Sequence, residues 1–165
     1  HRMMLEETLV QFGVTSLGEA DKADLNRVWH RLKGRPDSAP GLRRLKKRYI
    51  IAPLSNGNVA LLTNMAKFAG LPWDLMLSTE LFRHYKPDPE TYLGAAALLG
   101  LPPAEVMMVA AHTNDLDSAK ALGLRTAYVH RPHEGGPRGV PVRPAAGAYD
   151  QVVDSFVELA ERMGA

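Results

Sequence analysis

From about residue 48 onward, short apolar runs of strand length alternate with longer segments whose apolar residues recur at helical spacing. No other feature restricts the fold as much. The runs are Tyr49-Ile50-Ile51-Ala52-Pro53-Leu54, Leu75-Met76-Leu77, Val106-Met107-Met108-Val109-Ala110-Ala111 and Thr126-Ala127-Tyr128-Val129. Apolar on both faces, they suit a parallel sheet covered by helices on each side. Pro53 removes one ladder donor, near the strand end where that loss matters least. Between the runs, Leu62, Met65, Ala66 and Ala69 mark one helix, and Tyr92, Ala95, Ala96 and Leu99 mark another. Asp88 reads as the N-cap of the second and Pro89 as its first helical residue. A shorter helix is expected from about Asp115 to Leu122. Gly70, Gly100 and Gly123 stand where left-handed caps close helices, so the similar fragments around them are punctuation rather than a repeat. The order of elements predicts an α/β domain.

The flanks read differently. Before residue 42 the pattern is helical only, with Leu25, Val28, Trp29 and Leu32 on one face. After Arg131-Pro132 a Pro/Gly-rich loop is expected to Ala148, then a last helix with Val153, Phe156, Val157 and Ala160 on one face. A length of 165 residues fits about one domain. Cysteine is absent, which excludes disulfides, thiolate metal sites and cysteine nucleophiles and fits a cytoplasmic setting. No window of 18 apolar residues exists, so no membrane partner is expected. The start, His1-Arg2-Met3-Met4, runs into Leu5-Glu6-Glu7 with no signal-peptide core. Residue 1 is His rather than Met, so the chain is expected not to begin where its gene does.

A net charge of +2 gives no argument for nucleic acid. The basic run Arg43, Arg44, Lys46, Lys47 and Arg48 lacks interleaved aromatics and reads as a solvated helix face. His130 and His133 lack a third ligand, and Trp29 and Trp73 read as packing residues.

Parallel sheets place their sites at the C-terminal ends of strands. Two strands here end in polar clusters, Ser55-Asn56-Gly57-Asn58 and His112-Thr113-Asn114-Asp115. Between them lies Lys86-Pro87-Asp88-Pro89, just before a helix. Singly, each cluster reads as a turn, a helix cap or a solvated loop. The spacing joins them: Ser55 to Lys86 is 31 positions and Lys86 to Asp115 is 29, near one βαβ unit each. A hydroxyl, an ammonium and a carboxylate are therefore expected at one edge of one sheet.

With these residues in place, the segment from about Ile50 to Pro132 resembles the haloacid dehalogenase (HAD) superfamily of hydrolases. Ser55-Asn56-Gly57 resembles that family's second motif, Lys86-Pro87-Asp88-Pro89 the third, and Val109 to Leu116 the fourth. The wording is nearest to the type II 2-haloacid dehalogenases, in which Tyr92 also matches a pocket tyrosine six residues after the lysine. The helical part from Leu5 to Leu32 is similar to part of that group's cap. The resemblance implies a Rossmann-like parallel sheet flanked by helices, with residues 1–41 a partial cap and 42–165 the core. It also implies a small 2-haloacid substrate. An Asp carboxylate would displace halide from C2, and water would hydrolyse the resulting ester. Lys86 would keep the carboxylates ionised, and Asp115 would pair with it and help place the water. Ser55 would donate to the nucleophile or substrate with Asn56 assisting, while Tyr92 and His112 would line the substrate pocket.

Departures from the family pattern shape the remaining expectations. Phosphatase members hold Mg²⁺ with an acidic pair in the fourth motif. Here Ala111 stands at the first acid, leaving Asp115, so no metal or other cofactor is expected. Ala110 replaces a serine that some dehalogenases carry. No segment matches the first motif, an Asp two residues before a Tyr, Phe or Asp and then Gly-Thr. The resemblance places that strand centrally, between those ending at Leu54 and Ala111. The chain is thus expected to lack its first core strand and nucleophile and to be inactive alone. The gap is expected to close by collapse, by another segment, or by a strand from a second chain. Relatives are commonly dimers, which makes a homodimer an expectation. The alternatives are a non-catalytic fragment or pseudoenzyme with a small-anion pocket, and a small-molecule phosphatase.

Overall fold

The computed structural model describes residues 1–134, 136 and 139–165; Gly135, Pro137 and Arg138, inside the expected Pro/Gly-rich loop, lie outside the described residues. Helices α1 (Arg2–Gln11) and α2 (Glu19–Arg27) precede α3 (Ser38–Leu45). Then β1 (Leu54–Ser55), α4 (Val59–Ala69), β2 (Leu77–Ser78), α5 (Pro89–Leu98), β3 (Met107–Ala110), α6 (Thr113–Ala121), β4 (Arg125–Val129), β5 (Gln151–Val153) and α7 (Phe156–Arg162) follow. All pairing is parallel, as the apolar runs require.

Side-chain alternation along the strands builds two cores. Ala127, Val129 and Val153 face Leu42, Leu45 and Leu159 of α3 and α7. Met108, Tyr128 and Val152 face Tyr92, Leu116 and Ala119 of α5 and α6. Helices α3 and α7 approach closely because residue 41 is glycine; a Cβ there would lie 2.4 Å from the Phe156 carbonyl carbon. Asp37, just before α3, accepts a bidentate pair from Arg131 at 3.0 and 2.8 Å and the Phe156 N–H at 2.8 Å. This knot joins the N-terminal helices to the sheet.

Several local expectations change. Only Leu54–Ser55 of the first apolar run forms a strand. Upstream, Ile51 N–H donates to the Asp74 side chain and Ile51 C=O accepts from Asp74 N–H, both at 2.9 Å, so a carboxylate replaces part of the ladder. The second run pairs as Leu77–Ser78. Val153 belongs to β5, a strand absent from the sequence reading, and the last helix begins at Phe156. Gly70, Gly100 and Gly123 do end helices, with φ of 64°, 67° and 84°. The basic run is not wholly solvated: Arg44 and Arg48 donate to the Ala165 and Gly164 carbonyls beyond the C-terminal end of α7, and Lys46 pairs with Asp74 at 2.8 Å. Trp73 packs against the core as expected, but Trp29 is 48% exposed and stacks on His1.

The strands form two sheets, β1-β2 and β3-β4-β5. Leu54 packs against the cluster containing Met108, yet among the described residues no ladder joins β1 to β3, and β1 pairs only with β2 and β3 only with β4. Closure by strand pairing within these residues is therefore not what this fold does. Helices α1 and α2 contain no buried residue. No described helix is long and apolar enough to cross a membrane.

Candidate active site

The site residues lie at C-terminal strand ends and on the loops that follow them. Ser55 closes β1 in register with Ser78 of β2. Asn58 then caps α4 by accepting from Leu61 N–H at 2.8 Å. Strand β3 ends at Ala110, and His112 occupies the N-cap position of α6. Asp115 follows in the first turn of α6, where the helix dipole favours a carboxylate. Lys86 lies in the loop before α5, and Tyr92 faces inward from that helix, fully buried.

Lys86 Nζ donates to Asp115 Oδ2 at 2.5 Å, and Tyr92 OH donates to Asp115 Oδ1 at 2.6 Å. The Lys86 and Asp115 side chains are only 18% and 14% exposed, so water screens the ion pair weakly. Burial, and then the Asp115 carboxylate, push the Tyr92 phenol far above its ordinary value, so it remains a donor. Among the described residues Asp115 is the only partner of Lys86 Nζ, and an ammonium carries three donors. Ser55 Oγ accepts from Gly57 N–H at 3.1 Å and has its own hydrogen left to donate. Asn56 is turned toward Lys86: Oδ1 accepts the Lys86 N–H at 2.8 Å and Nδ2 donates to the Lys86 carbonyl at 3.3 Å.

His112 lies apart from this chain of bonds. Its side chain is mostly exposed, with Nε2 3.5 Å from Glu134. It lines an open cavity of about 500 Å³ with Ala111, Thr113, Asn114, Tyr128 and the loop residues Pro141, Val142 and Pro144. Neither Lys86 nor Asp115 lines that cavity.

The donor set does not fit the Mg²⁺ of HAD phosphatases. Both Asp115 oxygens are engaged by donors, and Ala111 offers no ligand. The sequence reading missed Ser78 and Glu80. Ser78 Oγ donates to the Gly57 carbonyl at 2.7 Å, and Glu80 Oε2 accepts from Val59 N–H at 3.0 Å. Both follow an apolar run, so the strand-end rule applied to Leu75-Met76-Leu77 would have found them.

Fold and site together define an α/β protein with a lysine–carboxylate pair at the C-terminal edge of its parallel strands. The chain belongs to the haloacid dehalogenase-like hydrolases, a family that matches residues 3–123. It is 37% identical over 145 residues to (S)-2-haloacid dehalogenase 4A of Burkholderia cepacia, covering 86% of this chain and 62% of that protein. The chain therefore spans about three fifths of that relative's length. A crystal structure of an L-2-haloacid dehalogenase superimposes with a TM-score of 0.93 at 46% identity, covering 99% of this chain and 71% of the other. The L-2-haloacid dehalogenase of Xanthobacter autotrophicus with chloropropionic acid covalently bound gives 0.83 at 28% identity, over 99% and 74%.

Proposed function

We propose that this chain is the lysine- and aspartate-bearing part of a hydrolytic 2-haloacid dehalogenase. The observation that carries the reading is the Lys86–Asp115 pair, backed by Tyr92, with ammonium donors left for a second carboxylate. That second carboxylate is the nucleophile, an Asp supplied from outside residues 1–165. Its oxygen attacks C2 of the haloacid, the carbon–halogen bond breaks, and halide leaves with the bonding electrons. Water then adds to the ester carbonyl, releasing a 2-hydroxy acid, regenerating the carboxylate and giving up a proton. Lys86 keeps the nucleophile ionised before displacement and again once hydrolysis has freed it, as a cation beside two carboxylates does. Ser55 donates to the nucleophile or the substrate carboxylate, and Asp115 places the water. The division into a cap segment, residues 1–41, and a core, residues 42–165, belongs to the same proposal. Helix α3, Ser38–Leu45, runs across that boundary.

The test is halide release from 2-chloropropionate by the protein with its nucleophile in place. Release is expected to fall by at least about 100-fold in Lys86→Ala and in Asp115→Asn, the scale of losing a group that acts on the transition state. Mg²⁺-dependent phosphate release from a simple ester, with no halide release, would replace this reading with a phosphatase.

A further inference from the structure

We infer that Ser78 and Glu80 are positioning residues: from the turn after β2 they hold the loop after β1, so that the Ser55 hydroxyl keeps its proton for the site. The inference rests on the function proposed above. The β1–β2 ladder is two residues long, and Ser55 and Ser78 are its last pair. Two strands this short are marginal by themselves, so side chains must hold the loops that leave them. Ser78 Oγ, fully buried, spends both capacities of a hydroxyl: it donates to the Gly57 carbonyl at 2.7 Å and accepts from Glu80 N–H at 3.1 Å. Gly57 N–H in turn donates to Ser55 Oγ at 3.1 Å. One glycine is thus held through its carbonyl and holds Ser55 through its amide. With a donor already on its oxygen, Ser55 keeps its own hydrogen for the nucleophile or the substrate carboxylate.

Glu80 supplies a second attachment. Val59 is the first residue of α4, and its N–H is one of the donors that a helix start leaves without a partner. Glu80 Oε2 accepts it at 3.0 Å across 21 positions of sequence, while Asn58 serves Leu61 N–H. The dipole of α4 favours a carboxylate there. The loop is therefore gripped at Gly57 and again at Val59, both times from the turn after β2. Among the described residues neither Ser78 nor Glu80 bonds to Lys86, Asp115 or Tyr92, so both act through the loop. A hydroxyl set in advance spares the reaction the cost of ordering it.

Amide hydrogen exchange of the intact chain, read by mass spectrometry, tests the grip without requiring turnover. Glu80 is exposed, so its variants are expected to fold. Glu80→Ala is expected to speed exchange in segment 55–62 by about tenfold relative to α7, the loss of roughly one hydrogen bond to a charged group. Glu80→Gln keeps an acceptor and is expected to stay within about threefold of the wild type. Ser78→Ala is expected to open the same segment; if it speeds every segment it has unfolded, and the Glu80 pair decides. Unchanged exchange in Glu80→Ala overturns the grip. The kinetic arm uses the protein with its nucleophile in place. There kcat/KM for 2-chloropropionate is expected to fall about tenfold in Glu80→Ala and to recover in Glu80→Gln. Faster exchange with kcat/KM unchanged would reduce the grip to a structural role and overturn the positioning of Ser55. The expected exchange pattern in a protein that releases no halide would overturn the dehalogenase reading and leave the grip standing.

Discussion

Asp115 has one oxygen on Lys86 and the other on Tyr92, and both bonds are charge-assisted and nearly dry. Tyr92→Phe deletes one donor without opening a cavity and leaves a buried carboxylate oxygen unmatched. Urea denaturation is expected to show a loss of about 1.5–3 kcal/mol. A neutral result would mean that water replaces the phenol. The Lys86–Asp115 juxtaposition was legible in the sequence, because spacings near 30 residues bring parallel strand ends to one edge, whereas Tyr92 was marked for the site only by the family resemblance. The bonding of Asn56 to the Lys86 peptide was not: an amide bonded to a peptide 30 positions away depends on the path of two loops, which no local pattern records. His112 illustrates the same limit. Its place before Asp115 was readable, whereas its pairing with Glu134 depends on how the loop after β4 returns.

Among the elements, the α3–α7 contact is the most sensitive to a single substitution. Gly41→Ala would drive a methyl group into the Phe156 backbone, which cannot give as a side-chain tip can. The expected cost is at least about 1–3 kcal/mol, again by urea. The Asp37–Arg131 knot beside it carries a pH signature. Burial alone would raise Asp37, but the Arg131 fork and the Phe156 N–H outweigh it and hold the carboxyl below its ordinary 3.8. A lowered carboxylate contributes stability that is present above the ordinary value and lost as pH falls through the lowered one. Thermal melts are therefore expected to show stability falling below about pH 4, with Asp37→Asn less stable at neutral pH and flatter in that window. Identical acid limbs would show that the knot does not act through the charge. Helix ends were readable because Gly and Pro punctuate them. Strand β5 escaped because three residues after a loop make a weak period, and Val153 also falls at helical spacing from Phe156, Val157 and Ala160.

For the whole molecule, the decisive feature is the division of its parallel strands into two sheets, with the lysine–carboxylate pair set at their C-terminal ends. The alternation of apolar runs made the α/β class readable. The failure of β1 to pair with β3 was not, since pairing depends on which strand stands between them. An Asp-bearing strand in that place, as proposed above, would cover the edges of β1 and β3 that are unpaired among the described residues and bring the nucleophile to Lys86 together. Chloride release from 2-chloropropionate, measured on residues 1–165 alone and again with a segment carrying the Asp-x-Tyr-Gly-Thr motif, tests this most directly. No release is expected from the chain alone, and release is expected once the segment is supplied. Chloride from the chain alone, or none from the combination, would contradict it.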